Sequence, residues 1–162
     1  MALNMSNAEE DKDRNENALI KNLKDILNRN KDKRVVVVGT TCTGKSTFLK
    51  QIENAHDMDE LVFPKLSQEE RDYVCQNPWT EDIGRTMVRL VKERVTVKPG
   101  EPVFGTVVLG SDLVIELKIS DELLRKRTLL RGVSFEDAKN MQKQIEAEIR
   151  RSGIPVIEFN VG

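Results

Sequence analysis

The chain has 162 residues, 38% of them apolar and 33% charged, with 26 basic against 27 acidic side chains. That length makes one domain with a real core, and a net charge of −1 argues against a dedicated nucleic-acid binder, which is normally basic. No run of ~18 apolar residues offers a membrane span, the polar N-terminus lacks the h-region of a secretory signal, and two cysteines with a single histidine exclude a disulfide scaffold and a Cys/His zinc site. The expectation is a cytoplasmic protein, monomer or homodimer, that binds neither nucleic acid nor membrane.

Residues 1–16 are polar, net negative and free of aromatics, and read as a disordered leader before a single domain over 17–162. Leu19, Ile20, Leu23, Ile26 and Leu27 fall on one face of a helix over Asn17–Asn28. That face is expected to cover an otherwise open side of the sheet. Val35–Val38, four β-branched residues without alternation, suit a strand buried on both sides. After a loop, Phe48, Leu49 and Ile52 resume helical spacing. Glu60–Phe63 reads as a short strand. Ser67 with Glu70 has the capping-box form and opens a helix to Cys75, which Asn77-Pro78 breaks.

Thr80 starts a helix with Ile83, Met87, Leu90 and Val91 on one face, and Val95–Val97 reads as a short strand. Val103–Leu109 also resembles strand, but the gap before the strand at Leu113–Ile119 is too short to join parallel neighbours. It therefore reads as a hairpin or, preferably, as a crossover from the strand at Val95. Ser120 caps a helix to about Leu130. Ser134 with Asp137 opens another, which ends at Gly153, and Ile154–Phe159 is a last strand. Strands alternating with helices imply an α/β fold with a mainly parallel sheet.

Gly39-Thr40-Thr41-Cys42-Thr43-Gly44-Lys45-Ser46 matches G-x-x-x-x-G-K-[ST] in full, between the four-valine strand and a helical pattern. Glycines let successive N–H groups point into one cavity, and the helix that follows adds its positive end. Lys45 supplies a mobile charge for β- and γ-phosphates, and the Ser46 hydroxyl suits Mg²⁺. Gly39, Thr40, Thr41, Cys42, Thr43, Gly44, Lys45, Ser46 and Thr47 are thus the expected nucleotide-binding set. A GTPase would need Asn-Lys-x-Asp after a later strand. The nearest string, Asn30-Lys31-Asp32-Lys33, lies upstream and in the wrong order. A transport ATPase would need a signature motif and more length. A small-molecule or nucleotide kinase fits the size, and needs an acceptor segment and arginines for the charge spread over the migrating phosphoryl group.

Phe104 to Asp112, then Leu113–Ser120 and Asp121–Arg131, resemble cytidylate kinases, with their Gly-Thr-Val-Val segment, Asp, strand and arginine-bearing helix. Arg131 to Ala138, with Gln142 and Gln144 beyond, is similar to dephospho-coenzyme A kinases. The resemblance to the nucleoside-monophosphate-kinase-like group implies a three-layer P-loop kinase fold, a five-stranded parallel sheet in the order 2-3-1-4-5 with the loop on the central strand. It implies an enzyme moving the γ-phosphoryl group of Mg-ATP to a small acceptor, with Lys45, Arg127 and Arg131 catalytic. The Arg-Asp that precedes Gly-Thr-Val-Val in cytidylate kinases is replaced by Glu101-Pro102-Val103-Phe104, so cytosine discrimination is not expected.

Arg125, Arg127 and Arg131 lie on or after the helix that follows the fourth strand; Arg127 and Arg131, four apart, share a face, and the resemblance places lid arginines there, with these two ahead of Arg125. Shikimate-kinase-like enzymes use an Asp-x-Asp at the end of the second strand for Mg²⁺ or the acceptor hydroxyl. Asp57 and Asp59 have that spacing but precede the strand expected at Leu61, which would put them on the wrong side. Trp79 and Arg85 lie where an acceptor segment would be. Arg85, with Arg71, Arg89 and Arg94 nearby, points to an anionic acceptor. Asp112 is expected to fix its loop. No acid ends a hydrophobic strand in the Walker B manner, which leaves a nucleotide-binding regulatory protein or NTPase without kinase turnover as the rival reading.

Overall fold

The computed structural model describes residues 2–76 and 80–162, with side chains from Arg14 onward. Five strands, β1 (Val35–Val38), β2 (His56–Asp57), β3 (Val103–Gly105), β4 (Leu113–Lys118) and β5 (Val156–Asn160), form one sheet in the order β2-β3-β1-β4-β5. Every pairing is parallel. The fold is therefore α/β with the four-valine strand at its centre. All four valines are buried, as the unalternating pattern predicts for a strand covered on both faces.

Seven helices flank the sheet among the described residues: α1 (Ala2–Arg29), α2 (Lys45–Gln51), α3 (Met58–Val62), α4 (Gln68–Val74), α5 (Glu81–Arg94), α6 (Asp121–Arg131) and α7 (Phe135–Ser152). Period-two alternation along β1 divides the core. Val36 and Val38 join Val114 and buried residues of α3, α4, α5 and α7. Val35 and Val37 join Ile115, Leu117 and residues of α1, α2 and α6. The helix expected over Asn17–Asn28 begins earlier, at Ala2; the polar residues before it carry no apolar periodicity to reveal it. Its buried Ile20, Leu23 and Leu27 cover the Val35/Val37 face, as their spacing predicts.

The helix starts are legible in side chains. Ser67 and Glu70 form the full capping box, and Thr80, Ser120 and Ser134 each accept a hydrogen bond from the N–H three residues on.

Three sequence expectations are corrected. Glu60–Phe63 is not strand: Met58 and Val62, four apart and both buried, make α3, and a 3₁₀ turn follows at Phe63–Lys65. The strand lies earlier, at His56–Asp57, held by register pairing to Val103 and Phe104. Val95–Val97 joins no strand; Val95 and Val97 are buried beside α5, and a Lys98–Glu101 bridge closes the turn after them. The crossover preferred for Val103–Leu109 is only half of that segment. Val103–Gly105 is β3, and it pairs with β1 on the side away from β4. The link Thr106–Asp112 then crosses β1, burying Val107, Val108 and Leu109. Asp112 ends it by accepting from the Arg34 backbone N–H at 2.9 Å and its guanidinium at 3.0 and 3.2 Å. Among the described residues, no helix is long and apolar enough to cross a membrane.

Candidate phosphate-binding site

The loop Gly39–Gly44 leaves the carboxyl end of β1 and enters α2. A Cβ on Gly39 would lie 2.8 Å from Thr43 Oγ1 and 3.0 Å from Leu117 Cβ, so only glycine lets the loop start this close to β4. Gly44 turns with φ 93°, in the left-handed region that glycine adopts freely. Cys42 is also left-handed, with φ 67°, a conformation costing a non-glycine residue about 1–2 kcal/mol. Its tertiary contacts hold it there. Thr43 Oγ1 donates to Thr40 O at 2.8 Å, and Thr40 Oγ1 donates to Ala138 O at 2.6 Å, which fastens the loop to the first turn of α7. Thr41 Oγ1 lies 3.9 Å from Cys42 Sγ, and the Thr47 N–H donates to Gly44 O at 3.1 Å.

Lys45 folds over its own loop. Its ammonium donates to Gly39 O at 2.5 Å and Thr40 O at 2.7 Å. Burial disfavours the charged form and pulls its pKa down to about 8, against the pull of Cys42, Asp57 and Asp59; Arg131 adds to the depression. Ser46 is exposed at the first turn of α2.

Arg127 and Arg131 reach the same loop from α6. Arg127 Nη1 donates to Cys42 O at 3.0 Å, and Arg131 Nη1 lies 3.9 Å from Cys42 Sγ. Arg125, about 200° round the helix from Arg127, instead stacks its guanidinium 4.0 Å above the Phe135 ring. The four-residue spacing puts Arg127 and Arg131 on one face of α6, and that face meets the loop.

Asp57 and Asp59 fall on the loop side, not the wrong side. β2 ends at Asp57, and the Asp57 carboxylate caps α3 by accepting from the Asp59 N–H at 2.9 Å. Both carboxylates act electrostatically on Lys45. Reduced hydration raises the pKa of Asp59, the adjacent Asp57 carboxylate adds to that rise, and Lys45 opposes it. The two carboxylates repel each other and are partly offset by Lys45, and among the described residues no group of three or more His, Cys, Asp or Glu is placed to hold a metal ion.

The other predicted residues are engaged with other partners. Arg85 pairs with Asp82, and with Glu81 at 3.8 Å, on its own helix. Arg94 is held by Glu70 in a two-point ion pair at 2.5 and 2.7 Å, and Arg71 donates to Phe63 O. Trp79 lies outside the described residues. β3 ends at Gly105-Thr106 with no acid. The sequence reading missed Glu116, buried within β4 and in register with Val38. Its Oε1 accepts no hydrogen bond among the described residues and lies 3.5 Å from Lys118 Nζ; burial raises its pKa. A single Glu inside Leu-Val-Ile-Glu-Leu was the available signal. The chain matches no family model and no curated protein.

Proposed function

We propose that the protein is a P-loop kinase that moves the γ-phosphoryl group of Mg-ATP to a small, anionic acceptor, a nucleotide or phosphorylated metabolite. The observation that carries this reading is the convergence of Lys45, Arg127, Arg131 and the Asp57/Asp59 pair on one loop. A protein that only held nucleotide would need the loop and its lysine. The two arginines add charge where a loose phosphoryl transition state spreads it over three oxygens. In this reading Lys45 turns from the Gly39 and Thr40 carbonyls to the β- and γ-phosphates. Arg127 leaves Cys42 O to join Arg131 on the migrating group. Ser46 and Asp57 would hold Mg²⁺, which neutralises phosphate charge when bound. One aspartate remains to orient or deprotonate an acceptor hydroxyl, and the raised pKa of Asp59 suits it to accept a proton.

Arg85 is the proposed anchor of the acceptor's charge. Its ion pairs with Asp82 and Glu81 are exposed, and exposed pairs contribute only ~0–1 kcal/mol, so exchanging them for an acceptor phosphate costs little. The missing acid at the end of β3 favours the second reading, a nucleotide-binding regulatory protein or NTPase without kinase turnover. ATP consumption measured against a panel of nucleoside monophosphates and small hydroxylated metabolites separates the two. Acceptor-dependent ADP release, lost in Asp59→Asn and without a preference for CMP over UMP, is the expected result. ATP binding with no acceptor-dependent turnover would leave the regulatory reading standing.

A further inference from the structure

A cavity of about 560 Å³ opens at the end of the sheet opposite the phosphate loop, between the last turns of α1 and α2 and the turn before β3. Its volume is in the ~300–1,000 Å³ range of small-molecule sites. Three lysines line it, Lys24, Lys31 and Lys33, against one acid, Glu53, in a chain whose overall charge is −1. None of the three lysines makes an ion pair or side-chain hydrogen bond among the described residues. Asp112, which Lys33 senses electrostatically, is already taken by Arg34 at 3.0 Å.

Some backbone carbonyls near the cavity already accept hydrogen bonds within the chain. Asn30 Nδ2 donates to Ile26 O at 2.8 Å and the Asn30 N–H to Leu27 O at 3.1 Å. The Ile52 N–H donates to Phe48 O at 3.0 Å. Around the space stand the three ammonium groups, the Glu53 carboxylate and the carboxamides of Asn28, Gln51 and Asn54, each of which can donate as well as accept. Leu27, Val35 and Ile52, all buried core residues, supply an apolar floor.

We propose that this cavity is a second ligand site, taking a small phosphorylated molecule. Several ammonium groups around one concavity match a polyanion better than a single carboxylate, because each adds attraction that the chain's own acids do not cancel. The apolar floor accommodates the uncharged part of the molecule. The site is separate from the phosphate loop, which follows the carboxyl end of β1, and the proposal stands whether or not the chain is a kinase. The two sites share α2: Lys45 begins it, and Gln51 ends it.

The test uses the full chain carrying Lys45→Ala, to remove the lysine of the loop site, titrated calorimetrically with inorganic tripolyphosphate. Saturable binding should remain, and should weaken at least tenfold when Lys24→Ala, Lys31→Ala and Lys33→Ala are added. These lysines are exposed, so circular dichroism should show an unchanged fold. In the Lys45→Ala chain, the side-chain amide NMR signals of Asn28, Gln51 and Asn54 should move on titration. Absence of saturable binding in the Lys45→Ala chain overturns the proposal. So does equal affinity after the three lysines are removed, or movement of loop signals alone.

Discussion

Lys45 gives the proposed nucleotide site a pH dependence whose sign and size follow from its surroundings. Burial holds its pKa at about 8 in the ligand-free protein, so raising the pH from 7 to 9 takes it from roughly 90% charged to roughly 10%. Nucleotide polyphosphate favours the ammonium form. Above pH 8, binding must therefore take up a proton, and the apparent affinity falls as the pH rises. Over that interval the Kd for ATP should increase about tenfold, or about 1.4 kcal/mol. Calorimetry at pH 7, 8 and 9, in buffers of differing ionisation enthalpy, reads both the affinity and the proton uptake. Lys45→Met removes the titrating group and should bind ATP weakly, with no such slope. A flat Kd in the wild-type chain refutes the argument, and so does a tenfold rise that survives in Lys45→Met.

Arg131→Ala should lower turnover at least tenfold while the Kd for ATP changes less than about threefold, since a transition-state contact is lost more than a ground-state one; equal turnover would return Arg131 to the role of a solvated charge. Leu23 is fully buried, and Leu23→Ala should cost about 2–5 kcal/mol in urea unfolding, whereas a loss below about 1 kcal/mol would mean that α1 is not part of the core. A Cβ at Gly105 would collide with the Met58 side chain. Gly105→Ala should therefore destabilise by about 1–3 kcal/mol, and by less when made in a Met58→Ala background; additivity of the two substitutions would show that they do not meet.

The centre of the fold was legible because its signals are local and repeated. Four consecutive valines could fit only a strand covered on both sides, and the loop motif follows directly. The cap residues Ser67, Thr80, Ser120 and Ser134 each announce a helix within three residues. β2 was not legible. It is two residues long, and its pairing to β3, including the His56 N–H bond to Pro102 O, is a backbone interaction with a segment far along the chain. Placing that strand at Leu61 also misplaced Asp57 and Asp59, so one missed backbone pairing shifted half of the candidate site. The crossover Thr106–Asp112 misled for a related reason: its buried Val107, Val108 and Leu109 have the composition of a strand while packing across one. The place of Lys45 at the start of α2 and the shared face of Arg127 and Arg131 were legible because the motif and the helical repeat set those positions. Glu116 is the lone acid in the apolar run Leu113–Leu117, and its burial depends on neighbouring strands that the sequence does not show.

In the proposed function the loop Gly39–Ser46 holds the phosphates of ATP. Calorimetric titration of ATP with Mg²⁺ at pH 7 into the wild-type chain and into Lys45→Ala tests it most directly. One-to-one binding at this loop should weaken at least tenfold, about 1.4 kcal/mol or more, in the variant, with the fold's unfolding midpoint preserved. Equal affinity in the two proteins would contradict it.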